Sequence, residues 1–300
     1  MDDQALNVID GRKTFFIVPD TSLLPESYLE DYMARGYETY IIEDDRVCPL
    51  EKKVEAIITI FYDSILFFYV DAVIPGIEWR SYIQSLQKSY GNKVLIGVLY
   101  AKRNSPREKQ AIEKYYLFDV GIQCGCISLE YQKEKNFGLI DKVMYANQAA
   151  GRRKNIRALC DSTSKVNFTY KKKQYNARLT DISLSHFSCS MDDNVYIPLY
   201  EKLSNIYVEV NNMHFTTDGI LLLERTQNGE NLYVFVFVRR SDGKQGLEWD
   251  IKQRLSERIY TLVTSKVKNI LQLVFSEIGR GPGEFGGRNP YTPQDLERLL

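Results

Sequence analysis

Histidine, net charge and long apolar runs are what this 300-residue sequence has least of, and each shortage closes off a class of function. There are only two histidines, His186 and His214, and no Ser/His/Asp or Cys/His spacing surrounds them. Nucleophilic catalysis therefore has little to build on, and no enzymatic activity is expected. Lys+Arg and Asp+Glu both number 39, so the chain is neutral. A general nucleic-acid binder carries a large basic excess, so no DNA or RNA partner is expected. No stretch approaches the roughly 20 apolar residues that span a bilayer, so no membrane span is expected. The N-terminal Met1-Asp2-Asp3-Gln4 is acidic and no apolar run follows it, which predicts no secretory leader. Five scattered cysteines make an odd number, which suits a reduced, cytoplasmic setting rather than a disulfide framework. Cys124-Gly125-Cys126 is too tight for half a zinc site and has no partner pair, so no metal is expected. The glycines between 279 and 287 lack the Lys-Ser/Thr that closes a P-loop.

What is present divides the chain into three stretches. In the first, 1–148, strands read from Thr14 to Val18, Glu38 to Ile42, Ile65 to Val70, Val94 to Leu99 and Cys124 to Leu129. Helices read from Ser27 to Arg35, Leu50 to Phe61, Trp79 to Tyr90, Pro106 to Leu117 and Phe137 to Ala146. Solid apolar strands separated by helices predict a parallel sheet covered on both faces, a flavodoxin-like doubly wound α/β domain. In the second, 149–246, six short strands alternate apolar and polar residues. Turn signals separate them, the strongest being Gln227-Asn228-Gly229-Glu230. That pattern predicts a small six-stranded antiparallel barrel. In the third, 247–300, Leu255, Ile259, Leu262, Val263, Val267, Ile270, Leu271, Val274 and Ile278 fall at steps of three and four. They predict one long amphipathic helix ending at Gly279, with a flexible tail beyond. The stripe is expected to pack on the barrel or to serve as the face of a homodimer.

Charge is distributed unevenly. Residues 1–150 carry 17 basic and 22 acidic side chains, whereas 151–240 carry 13 and 9. A basic domain behind an acidic one suits a compact anionic ligand. The densest basic run is Arg152-Arg153-Lys154-Asn155-Ile156-Arg157, and thirty residues on comes Asp181-Ile182-Ser183-Leu184-Ser185-His186. Arginine pairs bidentately with phosphate or with guanine O6 and N7, and it stacks on bases. Aspartate accepts from guanine N1–H and N2–H, and serine adds a further contact.

Together the two stretches resemble the paired signature of PilZ domains, RxxxR followed by [D/N]xSxxG. Arg153 and Arg157 match the arginines, Asp181 and Ser183 the acid and the serine, and His186 stands where the signature has glycine. The resemblance implies a PilZ-type barrel and a cyclic di-GMP ligand, held by Arg153 and Arg157 with Asp181 and Ser183; Arg152 is an additional candidate. No other cofactor is implied. His186 either fills the pocket or stacks on a guanine. In the first stretch, Asp71-Ala72-Val73-Ile74-Pro75-Gly76 resembles the phosphoacceptor turn of response-regulator receivers, which makes Asp71 a candidate phosphoacceptor. The supporting set is thin: Asp20 alone follows the first strand, Tyr100 ends the fourth, and Glu130 stands where a lysine is usual. Three readings follow. The first is a cyclic di-GMP receptor that relays binding to a protein partner. The second is an adaptor with a degenerate PilZ-like barrel and no nucleotide. The third is a regulator phosphorylated at Asp71.

Overall fold

The computed structural model describes residues 11–279, apart from 46, 104, 152–154, 192–194 and 228–229. The chain divides into two compact units, one made of 1–154 with 267–300 and the other of 155–266.

In the first unit five parallel strands form the sheet, β1 (Thr14–Ile17), β2 (Thr39–Ile42), β3 (Ser64–Tyr69), β4 (Val94–Ala101) and β5 (Cys126–Leu129). Their order is β2-β1-β3-β4-β5, as a doubly wound sheet requires. The helices are α1 (Ser27–Ala34), α2 (Leu50–Ile60), α3 (Trp79–Tyr90), α4 (Pro106–Glu113) and α5 (Lys133–Ala146). Because side chains alternate across a strand, Phe15, Leu66 and Phe68 join Ile57 of α2 and Ile83 of α3 in one core. On the other face Phe16 stacks on Phe67 and on Tyr32 of α1, and Tyr32 stacks on Phe137 of α5. Each fully buried ring contributes about 2–3 kcal/mol through apolar area removed from water. Gly97 on β4 has a structural reason: a Cβ there would lie 2.5 Å from the Phe67 ring.

One helix departs from expectation. The segment read as helical from Pro106 to Leu117 is α-helical only to Glu113 and then widens into a π-helical turn, Lys114–Val120. Gly121, at φ +76°, ends it by donating its N–H to Tyr116 O. The i→i+5 pattern places Tyr116 in the core, whereas Phe118 stays exposed.

The second unit is an antiparallel barrel. Its strands are β6 (Ala158–Leu159), β7 (Lys165–Tyr170), β8 (Lys173–Ile182), β9 (His186–Ser190), β10 (Lys202–Val210), β11 (Met213–Gln227) and β12 (Glu230–Val238). The order β8-β7-β10-β11-β12-β9 closes because β9 also pairs with β8, so six strands share one barrel. Closure satisfies both edges of each long strand. Val166, Phe168, Leu179, Phe187, Phe235 and Phe237 fill the interior. Residues 171–172 and 211–212 turn two of the hairpins with positive φ at both positions, the geometry that matches strand twist. His214 lies in β11 with its exposed ring stacked on Tyr207.

Helix α6 (Trp249–Gly279) belongs to both units. Leu255 and Ile259 enter the barrel core, whereas Val267 and Leu271 enter the sheet core. Further along, Phe275 lies under the buried Lys53 ammonium at 5.3 Å. Lys53 is held by Glu43 O at 2.8 Å and by Asp45 at 2.6 Å. The apolar stripe is therefore covered within the chain, by two cores rather than by the barrel alone.

Candidate functional site

The two halves of the sequence signature meet through β6, a strand too short to be read from sequence. Ala158 pairs with Ile182 and Leu159 with Asp181, which lays Asn155–Arg157 beside the end of β8. Arg157 Nε then sits 3.1 Å from Asp181 Oδ1. The carboxylate is nearly buried, with its side chain 10% exposed, while that of Arg157 is 30% exposed. The contact occupies one of the five guanidinium donors. A bulge between Leu179 and Asp181 shifts the alternation of β8, so Asp181 and Ile182 are both buried.

Past β8 the chain reverses in a tight turn from Ser183 to His186. Ser183 N–H donates to His186 O at 2.8 Å, and Ser183 Oγ donates to the same carbonyl at 3.1 Å. The Ser183 oxygen also accepts from His186 N–H at 3.1 Å and from Ser185 N–H at 3.4 Å. Ser183 lies beyond the strand that carries Asp181, and its hydroxyl is spent inside the turn.

His186 opens β9 opposite Val236 and is not in the left-handed region, so its backbone does not require glycine. Its Nδ1 lies 2.8 Å from Ser185 Oγ, which accepts a hydrogen bond from Asn155 Nδ2 at 3.1 Å. Burial, and then the nearby Arg157 charge, lower the His186 pKa. Both effects disfavour the imidazolium. Burial followed by the Asp181 charge pushes the Cys160 thiol up to about 12, which keeps it protonated and unreactive. Ser188, across from Asp181, has a buried hydroxyl with no hydrogen-bond partner among the described residues. Arg152 and Arg153 lie outside the described residues.

Asp71 is far from open. Its Oδ2 accepts from Ala101 N–H at 2.7 Å and its Oδ1 from Arg103. Asp20 accepts from Ser22 and lies 3.4 Å from Tyr69 Oη, whose pKa burial and then the Asp20 charge push to about 12. Glu130 pairs with Lys102. Among the described residues no group of three His, Cys, Asp or Glu could hold a metal ion, and no helix is long and apolar enough to cross a membrane.

Sequence reasoning missed Asn155, Ser185, Ser188 and Arg103 as partners. The first two stand inside the quoted stretches, but only the β6–β8 register shows that they meet.

No family model and no curated protein matches the sequence. Solved structures do. The PilZ domain of YcgR from Escherichia coli, with c-di-GMP, is 16% identical over 40% of this chain and 97% of that one, with a TM-score of 0.33. The C-terminal part of this chain is similar to PilZ domain proteins. MrkH of K. pneumonia, in complex with c-di-GMP, is 16% identical over 39% of this chain and 55% of its own, with a TM-score of 0.33. The Bacillus subtilis inhibitor of motility MotI/DgrA is 11% identical over 40% and 52%, with a TM-score of 0.29. This chain matches about half the length of the latter two.

Proposed function

We propose that the barrel is a receptor site for cyclic di-GMP, without catalytic activity, and that binding is relayed to a protein partner. The observation that supports this reading is the Arg157–Asp181 pair at the β6–β8 junction, where a phosphate-binding group and a guanine-edge acceptor stand side by side. Arg157, with Arg153 from the same segment, takes phosphate or the Hoogsteen edge of a guanine. Asp181 accepts from the other guanine edge. Within the chain these two groups neutralise each other, so a ligand must exchange their contact for its own. That exchange gives binding a differential effect on the 155–157 segment, which is what any relay needs. Titration calorimetry with cyclic di-GMP is the test. Heat with the wild-type chain, with affinity sharply reduced in Arg153→Ala and Arg157→Ala, supports the reading; a wild-type chain that gives no heat overturns it.

The internal neutralisation of Arg157 favours a second reading, an adaptor that binds no nucleotide and works by protein contacts. The same titration separates the two.

A further inference from the structure

The histidine that replaces the signature glycine turns its Nδ1 to Ser185. Asn155 Nδ2 donates to Ser185 Oγ, and His186 Nδ1 lies 2.8 Å from the same oxygen, closer than Ser183 Oγ at 3.4 Å. The imidazole is thereby linked to Asn155 through one hydroxyl. Its backbone is fixed by the Ser183 hydroxyl and by pairing of β9 with β12. A rigid strand thus holds His186, His186 holds Ser185, and Ser185 holds Asn155. Two residues later Arg157 reaches Asp181, and Ile156 between them packs against the barrel core.

We propose that Ser185 and His186 form a clasp that positions the Asn155–Arg157 segment on the barrel before ligand arrives, His186 being a positioning residue in place of glycine. Its value for binding rests on the receptor reading above; the clasp itself does not. Segments ordered in advance lose less freedom when a ligand binds, so the clasp raises affinity rather than blocking the site. A histidine that merely obstructed would act in the opposite direction.

Hydrogen exchange on the full, ligand-free chain tests the clasp. His186→Phe keeps a ring of similar size and removes the hydrogen-bonding nitrogen. Exchange in 155–160 is expected to quicken roughly fivefold to tenfold, the worth of one or two hydrogen bonds, while β11 and β12 stay unchanged. Ser185→Ala should do the same with the imidazole still present, and His186→Asn, which retains both a donor and an acceptor, should restore part of the protection. Unchanged exchange at 155–160 in both His186→Phe and Ser185→Ala overturns the clasp, and so does a uniform rise across the barrel in both. Cyclic di-GMP is then titrated into the same samples. If the wild type binds, His186→Phe is expected to bind several-fold more weakly; tighter binding would show obstruction and overturn the proposal. If the wild type does not bind, the receptor reading fails while the exchange data still decide the clasp.

Discussion

At the scale of single residues, charge pairing decides which groups are available. Arg157 and Asp181 hold each other, so substituting Arg157 removes a ligand contact and strands a nearly buried carboxylate. Arg157→Ala is expected to weaken cyclic di-GMP binding by roughly tenfold to a hundredfold, the range for a lost charged hydrogen bond, as read by calorimetry. Asp71 has its charge answered by Arg103 and one oxygen tied to a backbone N–H, so both of its carboxylate oxygens are engaged. Acetyl phosphate with Mg²⁺ is expected to leave the protein unlabelled, and mass spectrometry showing a phosphoryl adduct at Asp71 would refute this. His186 gives a pH dependence whose sign is fixed. Burial and Arg157, the charged group facing the ring, lower its pKa in the folded chain, so the unfolded chain takes up the proton first as pH falls. The contribution is whole above about pH 6.5, the unfolded value, and is lost as pH drops through the folded one. Denaturant midpoints between pH 8 and 5 should therefore fall more for wild type than for His186→Phe. Equal slopes would sink that assignment.

At the scale of elements, the helix that ends the described chain does the work of two. Leu255 lies in the barrel core and Leu271 in the sheet core, each almost without exposure. Either leucine changed to alanine should cost about 2–5 kcal/mol. Exchange measured element by element should place the first loss in β7–β12 and the second in β1–β5; both losses in one unit would contradict the division. Long elements were legible because their periodicity is strong: the five βα units and four of the six barrel strands stand close to where apolar spacing put them, whereas β10 starts at Lys202 rather than Ile206 and β11 at Met213 rather than Gly219. β6 was not, because two residues carry no period, and it exists only through its partner on β8. The π-helical turn was hidden for a related reason, since one extra residue in a turn changes spacing by less than a short helix can reveal. At the site, Arg157 and Asp181 were legible as chemistry, and their mutual pairing was not. Ser183 was read by its type and placed by its turn.

At the scale of the whole molecule, the sequence breaks where composition changes, near 149 and 247, while the compact units change at 155 and 267. At the second boundary the difference is the length of helix α6 that each unit claims. The first unit is thus discontinuous in sequence: it begins before the barrel and is completed after it, by Val267 and Leu271. Read along the direction of synthesis, this makes the barrel an insertion that emerges from the ribosome while its host is still unfinished. The five-stranded sheet waits, with part of its apolar face uncovered, for residues made more than a hundred positions later. Pulse-labelled chains arrested at 266 should be far more open to protease in the sheet than chains arrested after residue 300 has cleared the exit tunnel, although both contain every strand.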